Sequence, residues 1–300
     1  MIRLSVLVAV VLISAALNAH AAPEFCSPLP ITVYVGNKST DSQCNYDNIQ
    51  AAISAAVCPE TIVVTDEIVY PPQHLILSDK ALPLTGSTAS CGGPINQSRS
   101  VSDTLTPRII LSGNDDVDQA VITITGASHV TLNNFSISGA RDTFYTSSDG
   151  GGIVFLNHGS LRLNNVELWQ NYAAHGGGIA MLANGGHADL VIGAHTVIHD
   201  NVAQQNGGGI YMSGDVHLTM VSDQSAVYHN LARGELEDGT ASGQGYGGGI
   251  YILGGRADIG SPGLSNGITG MPQNAVIADN DAVTGAGIFV RDGIHTDGVA

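Results

Sequence analysis

Short apolar runs dominate the hydrophobic pattern of the chain. Residues 161–163 (Leu-Arg-Leu) and 216–220 (Val-His-Leu-Thr-Met) alternate apolar and polar side chains, and residues 154–156 (Val-Phe-Leu) are continuously apolar. Runs of this length predict strands, whereas an amphipathic helix needs about 10–12 residues of helical periodicity. We therefore predict an all-β fold built from many short strands.

One phrase of aliphatic and small residues returns four times. It consists of an aliphatic residue, Asn three positions later, Ala two positions after that and, beyond a spacer, a Gly-rich tetrad ending in Ile. The copies are Leu168, Asn171, Ala173 and residues 176–179; Ile198, Asn201, Ala203 and residues 207–210; Val227, Asn230, Ala232 and residues 247–250; Ile277, Asn280, Ala282 and residues 285–288. A degenerate copy precedes them, with Phe135, Ser138, Ala140 and residues 150–153. Such recurrence is typical of a solenoid, in which each repeat packs on its neighbours.

The spacing of the repeats indicates which solenoid to expect. The last Ile residues of successive tetrads are 26, 31, 40 and 38 residues apart. Leucine-rich, ankyrin and tetratricopeptide repeats require helices or consensus residues that these segments lack. We predict a right-handed parallel β-helix whose coils each contain about three strands.

The repeated asparagines are predicted to be structural. Asn tolerates a left-handed backbone, and its amide can bond backbone groups at a turn. Stacked at one corner, Asn171, Asn201, Asn230 and Asn280 would form a ladder like those of cross-β stacks. The tetrad glycines would supply positive φ or close approach between coils.

The first third of the chain differs from the repeats. A helix is predicted over residues 46–57, because Ile49, Ile53 and Val57 share one face, and strands are predicted over residues 61–65 and 74–77. An open sheet edge invites aggregation, and solenoids cover it with capping segments. We predict an N-terminal α-helical cap with the first coils over residues 22–120, followed by repeats over residues 121–300.

All four cysteines lie in this first third, which suggests two disulfides that pin the cap. Cys44 and Cys58 flank the predicted helix, and fourteen residues of helix would span roughly 21 Å, too far for a disulfide between them. The remaining pairings are Cys26–Cys44 with Cys58–Cys91, or Cys26–Cys58 with Cys44–Cys91. The sequence does not choose between them.

Residues 1–21 have the pattern of a signal peptide. A basic start is followed by a 14-residue apolar run and an Ala-His-Ala exit. The run is shorter than the ~20 residues that span a bilayer, and no later segment predicts a transmembrane helix. We expect a secreted or cell-surface protein. The chain ends soon after a repeat, as expected for a fragment of a longer protein.

Charge excludes one class of partner. The formal net charge is −16, with only ten Lys and Arg residues in the chain. A nucleic-acid binder needs a basic footprint, so we expect no nucleic-acid partner.

The opening of the chain and its repeats both resemble known families. Residues 48–53 (Asn-Ile-Gln-Ala-Ala-Ile), 62–64 and 75–86 resemble the opening of pectin-lyase-like right-handed β-helix proteins. The repeats resemble those of polymorphic outer membrane proteins, with their Gly-Gly-x-Ile and F-x-x-N elements, an aliphatic residue replacing Phe here. The resemblance covers about residues 48–290. It implies a cell-surface or secreted, adhesin-like protein.

Enzyme chemistry is the alternative. Residues 113–116 (Gly-Asn-Asp-Asp) resemble one element of polygalacturonases, so Asp115 and Asp116 would be the catalytic candidates, but the companion elements are missing. No lyase, esterase, Gly-x-Ser-x-Gly or HExxH pattern occurs. His199 and His229 are expected to stack on one exposed face rather than to bind metal. We expect no metal and no cofactor.

Two insertions, residues 141–149 and 233–246, fall between the phrase Ala and the Gly tetrad and so project from the same corner. Insertions in solenoids tend to line one face, often the binding face. The predicted binding residues there are Arg141, Glu235, Glu237, Asp238 and Tyr246. We expect adhesion or recognition of a glycan or cell-surface ligand. The alternatives are a polysaccharide-degrading enzyme and a structural surface-layer component.

Overall fold

The structure, a computed structural model, describes residues 31–57, 60–65, 73–93, 109–113, 119–141, 149–220, 225–235, 239–259 and 275–291. Within these residues the fold is all-β, with parallel strands and one short helix. This confirms the predicted class and the predicted parallel pairing. None of the helical residues described forms a segment long and apolar enough to cross a membrane.

The strands of the described residues are, in chain order, β1 (Ile31–Val35), β2 (Glu60–Thr65), β3 (Leu75–Ser78), β4 (Ala81–Ser87), β5 (Ile109–Ser112), β6 (Ile122–Thr125), β7 (Ala127–Asn133), β8 (Phe135–Ser138), β9 (Ile153–Leu156), β10 (His158–Asn164), β11 (Glu167–Trp169), β12 (Tyr172–His175), β13 (Ile179–Ile192), β14 (Val197–His199), β15 (Val202–Asn206), β16 (Ile210–Met220), β17 (Ala226–Tyr228), β18 (Leu231–Ala232), β19 (Ile250–Leu253), β20 (Arg256–Ile259), β21 (Val276–Ala278), β22 (Asp281–Ala282) and β23 (Ile288–Arg291). The helix α1 is Ile49–Ala55.

These strands form three parallel sheets. Over the described residues the large sheet has 13 strands and runs β1-β2-β4-β7-β10-β13-β16-β19-β23, with β3, β6, β9 and β20 attached beside this path. The middle sheet has six strands, in the order β21-β17-β14-β11-β8-β5, and the small sheet has four, in the order β12-β15-β18-β22. From β10 onward the chain passes from the large to the middle to the small sheet and then returns one strand further along. We call one such circuit a coil.

The large sheet bends into two flanks at a corner made by left-handed residues. Gly185 in β13 and Gly214 in β16 have φ of 83° and 85°, and Asn157 and Gly254 mark the same corner in adjacent coils with φ of 86° and 88°. Positive φ is accessible to Gly and tolerated by Asn. The corner therefore follows from residue type, although its position between two flanks was not predicted.

The repeated phrase falls into register from coil to coil. The aliphatic residues Leu168, Ile198, Val227 and Ile277 pair in the middle sheet. The tetrad isoleucines pair in the large sheet, in the order Ile153, Ile179, Ile210, Ile250 and Ile288. The first four of these are fully buried, whereas Ile288 in the last described coil is 41% exposed. The core is thus a set of aliphatic columns inside the coils.

The Gly tetrads are required by backbone geometry. The first glycine of each is left-handed, as in Gly176 and Gly207, with φ of 64° and 67°. The second lies against the next coil: a Cβ on Gly208 would stand 2.4 Å from the carbonyl oxygen of Gly248. No side chain fits at that distance, so glycine permits the close stacking.

The left-handed residue beside the phrase asparagine is its predecessor. Gln170, Asp200, His229 and Asp279 have φ of 52°, 52°, 51° and 49°, whereas the asparagines themselves do not have positive φ. The prediction that Asn adopts the left-handed conformation was therefore wrong. Its side chain is what the corner requires.

The N-terminal helix is shorter than predicted. It covers Ile49–Ala55 instead of residues 46–57, because the side chain of Asn48 caps it by accepting from the N–H of Ala51 at 2.9 Å. At the other end Ala56 is extended, with ψ of 115°. The helix buries Ile49, Ala52 and Ile53. The strands predicted over residues 61–65 and 74–77 correspond to β2 and β3.

A disulfide joins Cys44 to Cys91, with a Cα–Cα distance of 5.1 Å. This bond belongs to the second of the two predicted pairings and contradicts the first, which joined Cys44 to Cys26. Its other half, Cys26–Cys58, lies outside the described residues, as does the predicted signal peptide over residues 1–21. The disulfide joins the segment between β1 and α1 to the segment that follows β4.

Candidate functional site

The four phrase asparagines form one hydrogen-bonded column, which we call the asparagine column. The Oδ1 atom of Asn201 accepts from the Nδ2 and backbone N of Asn171, at 3.0 and 3.1 Å. Asn201 in turn donates to Oδ1 of Asn230, and Asn230 to Oδ1 of Asn280, both at 3.0 Å. Each Nδ2 also donates to a backbone carbonyl of the preceding coil, as Asn201 does to Leu168 at 2.9 Å. These residues hydrogen-bond one another and the backbone at a largely buried corner, so their role is structural.

The corner with the two insertions carries exposed cationic and aromatic groups. The backbones of Arg141 and Tyr172 pair in a parallel bridge. The guanidinium carbon of Arg233 lies 5.7 Å from the centre of the Tyr172 ring. Both arginines are exposed and Tyr172 is half-buried. A guanidinium within about 6 Å of a ring centroid interacts favourably with its face. We call Arg141, Tyr172 and Arg233 the Arg–Tyr patch.

The predicted binding residues do not all come together. Glu235 forms an antiparallel bridge with Ala241, and the N–H of Ser242 donates to the carbonyl of Gly234 at 2.8 Å, so residues 234–235 pair with residues 241–242. Tyr246 stacks on Phe289 at 4.7 Å between ring centroids. Its ring therefore packs against the large sheet instead of projecting. Glu237 and Asp238 lie outside the described residues, as do Asp115 and Asp116, the candidates for the enzyme alternative.

A cluster of polar side chains lies at the end of the second insertion, residues 244–246. Asn206, which is buried, accepts from the N–H groups of Tyr246 and Gly245 at 3.2 and 3.4 Å, and its amide bonds the side chain of Gln244. His175 lies 3.4 Å from the Asn206 amide and 4.7 Å from the Tyr211 ring centroid. Burial lowers the pKa of His175 to about 4, so its imidazole is neutral at pH 7. The cluster fixes the end of the second insertion.

The exterior of the middle sheet carries a column of stacked rings formed by Trp169, His199 and Tyr228. Ring centroids are 6.4 Å apart for Trp169–His199 and 5.1 Å for His199–Tyr228, with nearly parallel planes. The ring faces cover one another, so this column stabilises the stack instead of offering a face to a ligand. His229 does not continue it, because it lies one residue, not two, before its asparagine; Tyr228 occupies the position opposite His199.

His199 also bridges two carboxylates. Its Nε2 lies 3.2 Å from Glu167 and its Nδ1 lies 2.7 Å from Asp200. Burial lowers its pKa, but hydrogen bonds to Glu167 and Asp200 and the charges of both carboxylates outweigh that effect. The pKa of His199 is therefore raised above its ordinary value.

A second titratable cluster lies on the exterior of the large sheet and was missed by sequence reasoning. It consists of His187, Asp189, Asp215, His217 and Asp258, and we call it the His/Asp face. The signal that could have found it is the alternation His-x-Asp at residues 187–189 and Asp-x-His at residues 215–217. This alternation acquires meaning only once the register between β13 and β16 is known.

One group of possible metal ligands occurs among the described residues. Asp41, Cys44 and Cys91 place ligand atoms within 4.8 Å of one another. Both sulfur atoms are joined in the disulfide, so they offer no thiolate to a metal. This group is structural.

Comparison of the chain with protein-family models, with curated proteins and with solved structures found no match. The resemblance to pectin-lyase-like and polymorphic outer membrane proteins stays a prediction.

Proposed function

We propose that this chain is an exported right-handed parallel β-helix that recognises acidic glycans, with the Arg–Tyr patch as its binding surface. The observation that carries the proposal is the Arg233 guanidinium over the Tyr172 ring at an exposed corner, where a backbone bridge also places the exposed Arg141 beside Tyr172. The insertions that carry the two arginines leave the coils at this same corner. The formal net charge of −16 repels an anionic ligand at long range, so short-range contacts with the patch have to supply the affinity.

The chemistry of the patch favours carboxylates. A guanidinium can bind a carboxylate through two parallel hydrogen bonds, and it is more weakly hydrated than an ammonium. The tyrosine supplies a rigid ring with a polar end, a combination common in recognition surfaces. Repeating uronate units along a polysaccharide would present such carboxylates at regular intervals.

The order of the sheets supports the parallel β-helix in this proposal. From β10 onward each coil passes through the large, middle and small sheets in the same sequence, and the repeats pair in parallel register. Parallel crossovers are right-handed in nearly all proteins. The short helix α1 would cover the first coils as a cap.

Export is supported by the cysteines. Disulfides persist mainly in oxidising compartments, and Cys44–Cys91 is bonded. We propose that the leader over residues 1–21 is removed and that Cys26 pairs with Cys58. Peptide mapping without reduction tests the pairing, and a free thiol at either position in the exported protein would contradict it.

The binding proposal is tested by titrating the purified protein with polygalacturonate and with neutral dextran. We expect polygalacturonate to bind, dextran not to bind, and the double variant Arg141→Gln/Arg233→Gln to lose at least tenfold in affinity. Arg162→Gln is the matched control, since Arg162 is an exposed arginine of β10 in the large sheet. Equal binding by the double variant and the control would contradict the patch.

A second variant separates the insertion from the coil. Residues 235–241 can be replaced by Gly-Gly because a backbone hydrogen bond already joins Ser242 to Gly234. Gln244 and Gly245 are kept because they contact Asn206. We expect normal folding and weaker glycan binding. New reducing ends or unsaturated uronate absorbance during incubation would instead favour the enzyme alternative. Absence of binding to any glycan would favour a structural surface-layer role.

A further inference from the structure

Two Asn-Gly pairs of the described residues stand in opposite surroundings. Asn184-Gly185 lies in β13, at the corner where the large sheet bends, and both residues are exposed. Asn206-Gly207 lies at the end of β15, where Asn206 is only 3% exposed. Because glycine has no Cβ, its backbone nitrogen is the least hindered of any residue. An Asn-Gly pair is therefore the sequence in which that nitrogen most easily reaches the preceding side-chain amide.

The sheet does not hold Asn184-Gly185 in place. The register of β13 with β16 stops after Ala183 and resumes at Ala188. Residues 184–187 have no partner in that register, and the pairings of β13 with β9 and β10 leave them out as well. A Cβ built on Gly185 would have nothing within 4 Å. The pair thus has both the space and the backbone freedom that a change of conformation requires.

The fold holds Asn206-Gly207 firmly. The side-chain oxygen of Asn206 accepts from the N–H groups of Tyr246 and Gly245 at 3.2 and 3.4 Å, and its amide nitrogen donates to the side chain of Gln244. The N–H of Gly207 donates to the carbonyl oxygen of Tyr246 at 2.9 Å. The amide and the following nitrogen are therefore both bonded to the next coil and cannot turn toward each other.

We propose that Asn184 is a site of spontaneous covalent modification, with Gly185 as the nucleophile and water as the second reactant. The backbone nitrogen of Gly185 attacks Cγ of Asn184, so that a new C–N bond forms while the Cγ–Nδ2 bond breaks. The proton of the backbone nitrogen leaves with the amide nitrogen as ammonia, and a cyclic imide remains. Water then adds to either carbonyl of the imide and opens the ring, which yields aspartate or isoaspartate.

The bend should tolerate both products. Isoaspartate lengthens the backbone by one atom, and within a paired strand a slip of register carries side chains to the wrong face. Here the four residues 184–187 already stand opposite a single residue of β16, Asp215, as in a β-bulge. The added atom can therefore be absorbed in the bulge while the buried residues Met181 and Leu190 keep their partners in β16. Either product adds one carboxylate beside the His/Asp face.

The inference goes beyond glycan recognition, and its test uses no glycan. Purified folded protein is incubated near pH 6 and near pH 9, and peptide mapping by mass spectrometry follows the replacement of each side-chain amide by a carboxylate. Mapping is needed because Asn266, outside the described residues, also precedes a glycine. We expect conversion of Asn184 to both products and no conversion of Asn206. Conversion should be faster near pH 9, because the attacking nitrogen has to lose its proton.

Denatured protein is the control for protection by the fold. Asn184 and Asn206 should be converted at similar rates there, since both precede glycine and the hydrogen bonds of Asn206 are lost. Gly185→Ala should lose most of the conversion, because the added methyl group hinders the attacking nitrogen. An unmodified Asn184 in the folded protein, or equal conversion of Asn184 and Asn206 there, would overturn the proposal.

A second measurement tests whether the bend tolerates the products. Asn184→Asp introduces one product directly, and aged wild-type protein contains both. We expect both samples to melt at the temperature of fresh wild-type protein. A lower melting temperature of the aged protein that follows the isoaspartate content would overturn the assignment of residues 184–187 as a bulge that absorbs the longer backbone.

Discussion

The asparagine column inside the coils and the His/Asp face outside them are made by the same parallel register, yet they follow opposite rules. Inside, four identical residues stack directly on one another. Outside, imidazole and carboxylate alternate, both along β13 and across to β16. The difference lies in what each side chain can donate and accept.

An amide is both donor and acceptor, so a column of asparagines can satisfy itself without water. A carboxylate only accepts, and two of them directly opposite each other destabilise a sheet. Columns of ionisable groups must therefore alternate, even where water screens them. Identical repeats are thus expected at buried polar positions and complementary ones at exposed positions.

The largest effect is expected from breaking the interior column. Asn201→Leu leaves Asn171 without acceptors for two N–H groups and Leu168 without its donor. Each buried unsatisfied group costs about 1–3 kcal/mol, so we expect a loss of about 3 kcal/mol or more in the free energy of unfolding. Denaturant unfolding measures it, with the exposed Asn184→Leu of β13 as the control. Equal stability of the two variants would show that the column contributes nothing.

A smaller loss is expected from the tetrads that bring the coils together. In Gly208→Ala the new Cβ would lie 2.4 Å from the carbonyl oxygen of Gly248, a backbone atom of the next coil. Overpacking of this kind typically costs about 1–3 kcal/mol. Gly185→Ala is the comparison variant, because Gly185 has a positive φ of 83° but nothing within 4 Å of its Cβ, whereas Gly208 does not have a positive φ. The two melting curves thus compare a stacking clash without positive φ to positive-φ strain without a clash, and a Gly208→Ala variant as stable as the wild type would show that the close approach of the coils does not require glycine.

A pH effect is expected from the ring column on the exterior of the middle sheet and not from the asparagine column, which does not titrate. The pKa of His199 is raised above 6.5, and Glu167, Asp200, Trp169 and Tyr228 face its ring. The stabilisation is fully present below the unfolded value of about 6.5 and is lost as the pH rises through the folded pKa. The stability difference between wild type and His199→Asn should thus be greater near pH 6 than near pH 9. A difference independent of pH would mean that only ring stacking matters.

The smallest effect is expected from exposed charge alternation. His217→Asp places a carboxylate directly opposite Asp189 and next to Asp258. Like charges opposite each other in a sheet cost about 0.2–1 kcal/mol, and salt should reduce the loss. Unfolding at low and high ionic strength measures this. His217→Gln, which adds no charge, is the control, and a salt-independent loss would point to packing instead.

Much of the interior could be predicted from the sequence, because repeats with the same spacing must occupy equivalent positions. The tetrad isoleucines and the column from Asn171 to Asn280 are examples. The helix was predicted too long because the apolar periodicity continues to Val57, although Ala56 is already extended, and because Asn48, inside the predicted range, is the cap. The Arg–Tyr patch was predicted only through Arg141, since Arg233 reaches Tyr172 from a strand 61 residues further along the chain.

The sequence by itself determined the all-β class, the repeat and the identity of the buried columns, because burial selects the same residue type in every coil. Only the tertiary structure decided the Cys44–Cys91 pairing, the bend of the large sheet and the meeting of His187 with His217 around Asp189. Exposed positions need only be soluble, so their residues vary from coil to coil and leave no period to recognise. Their chemistry arises from register, which places residues that are about 30 positions apart side by side.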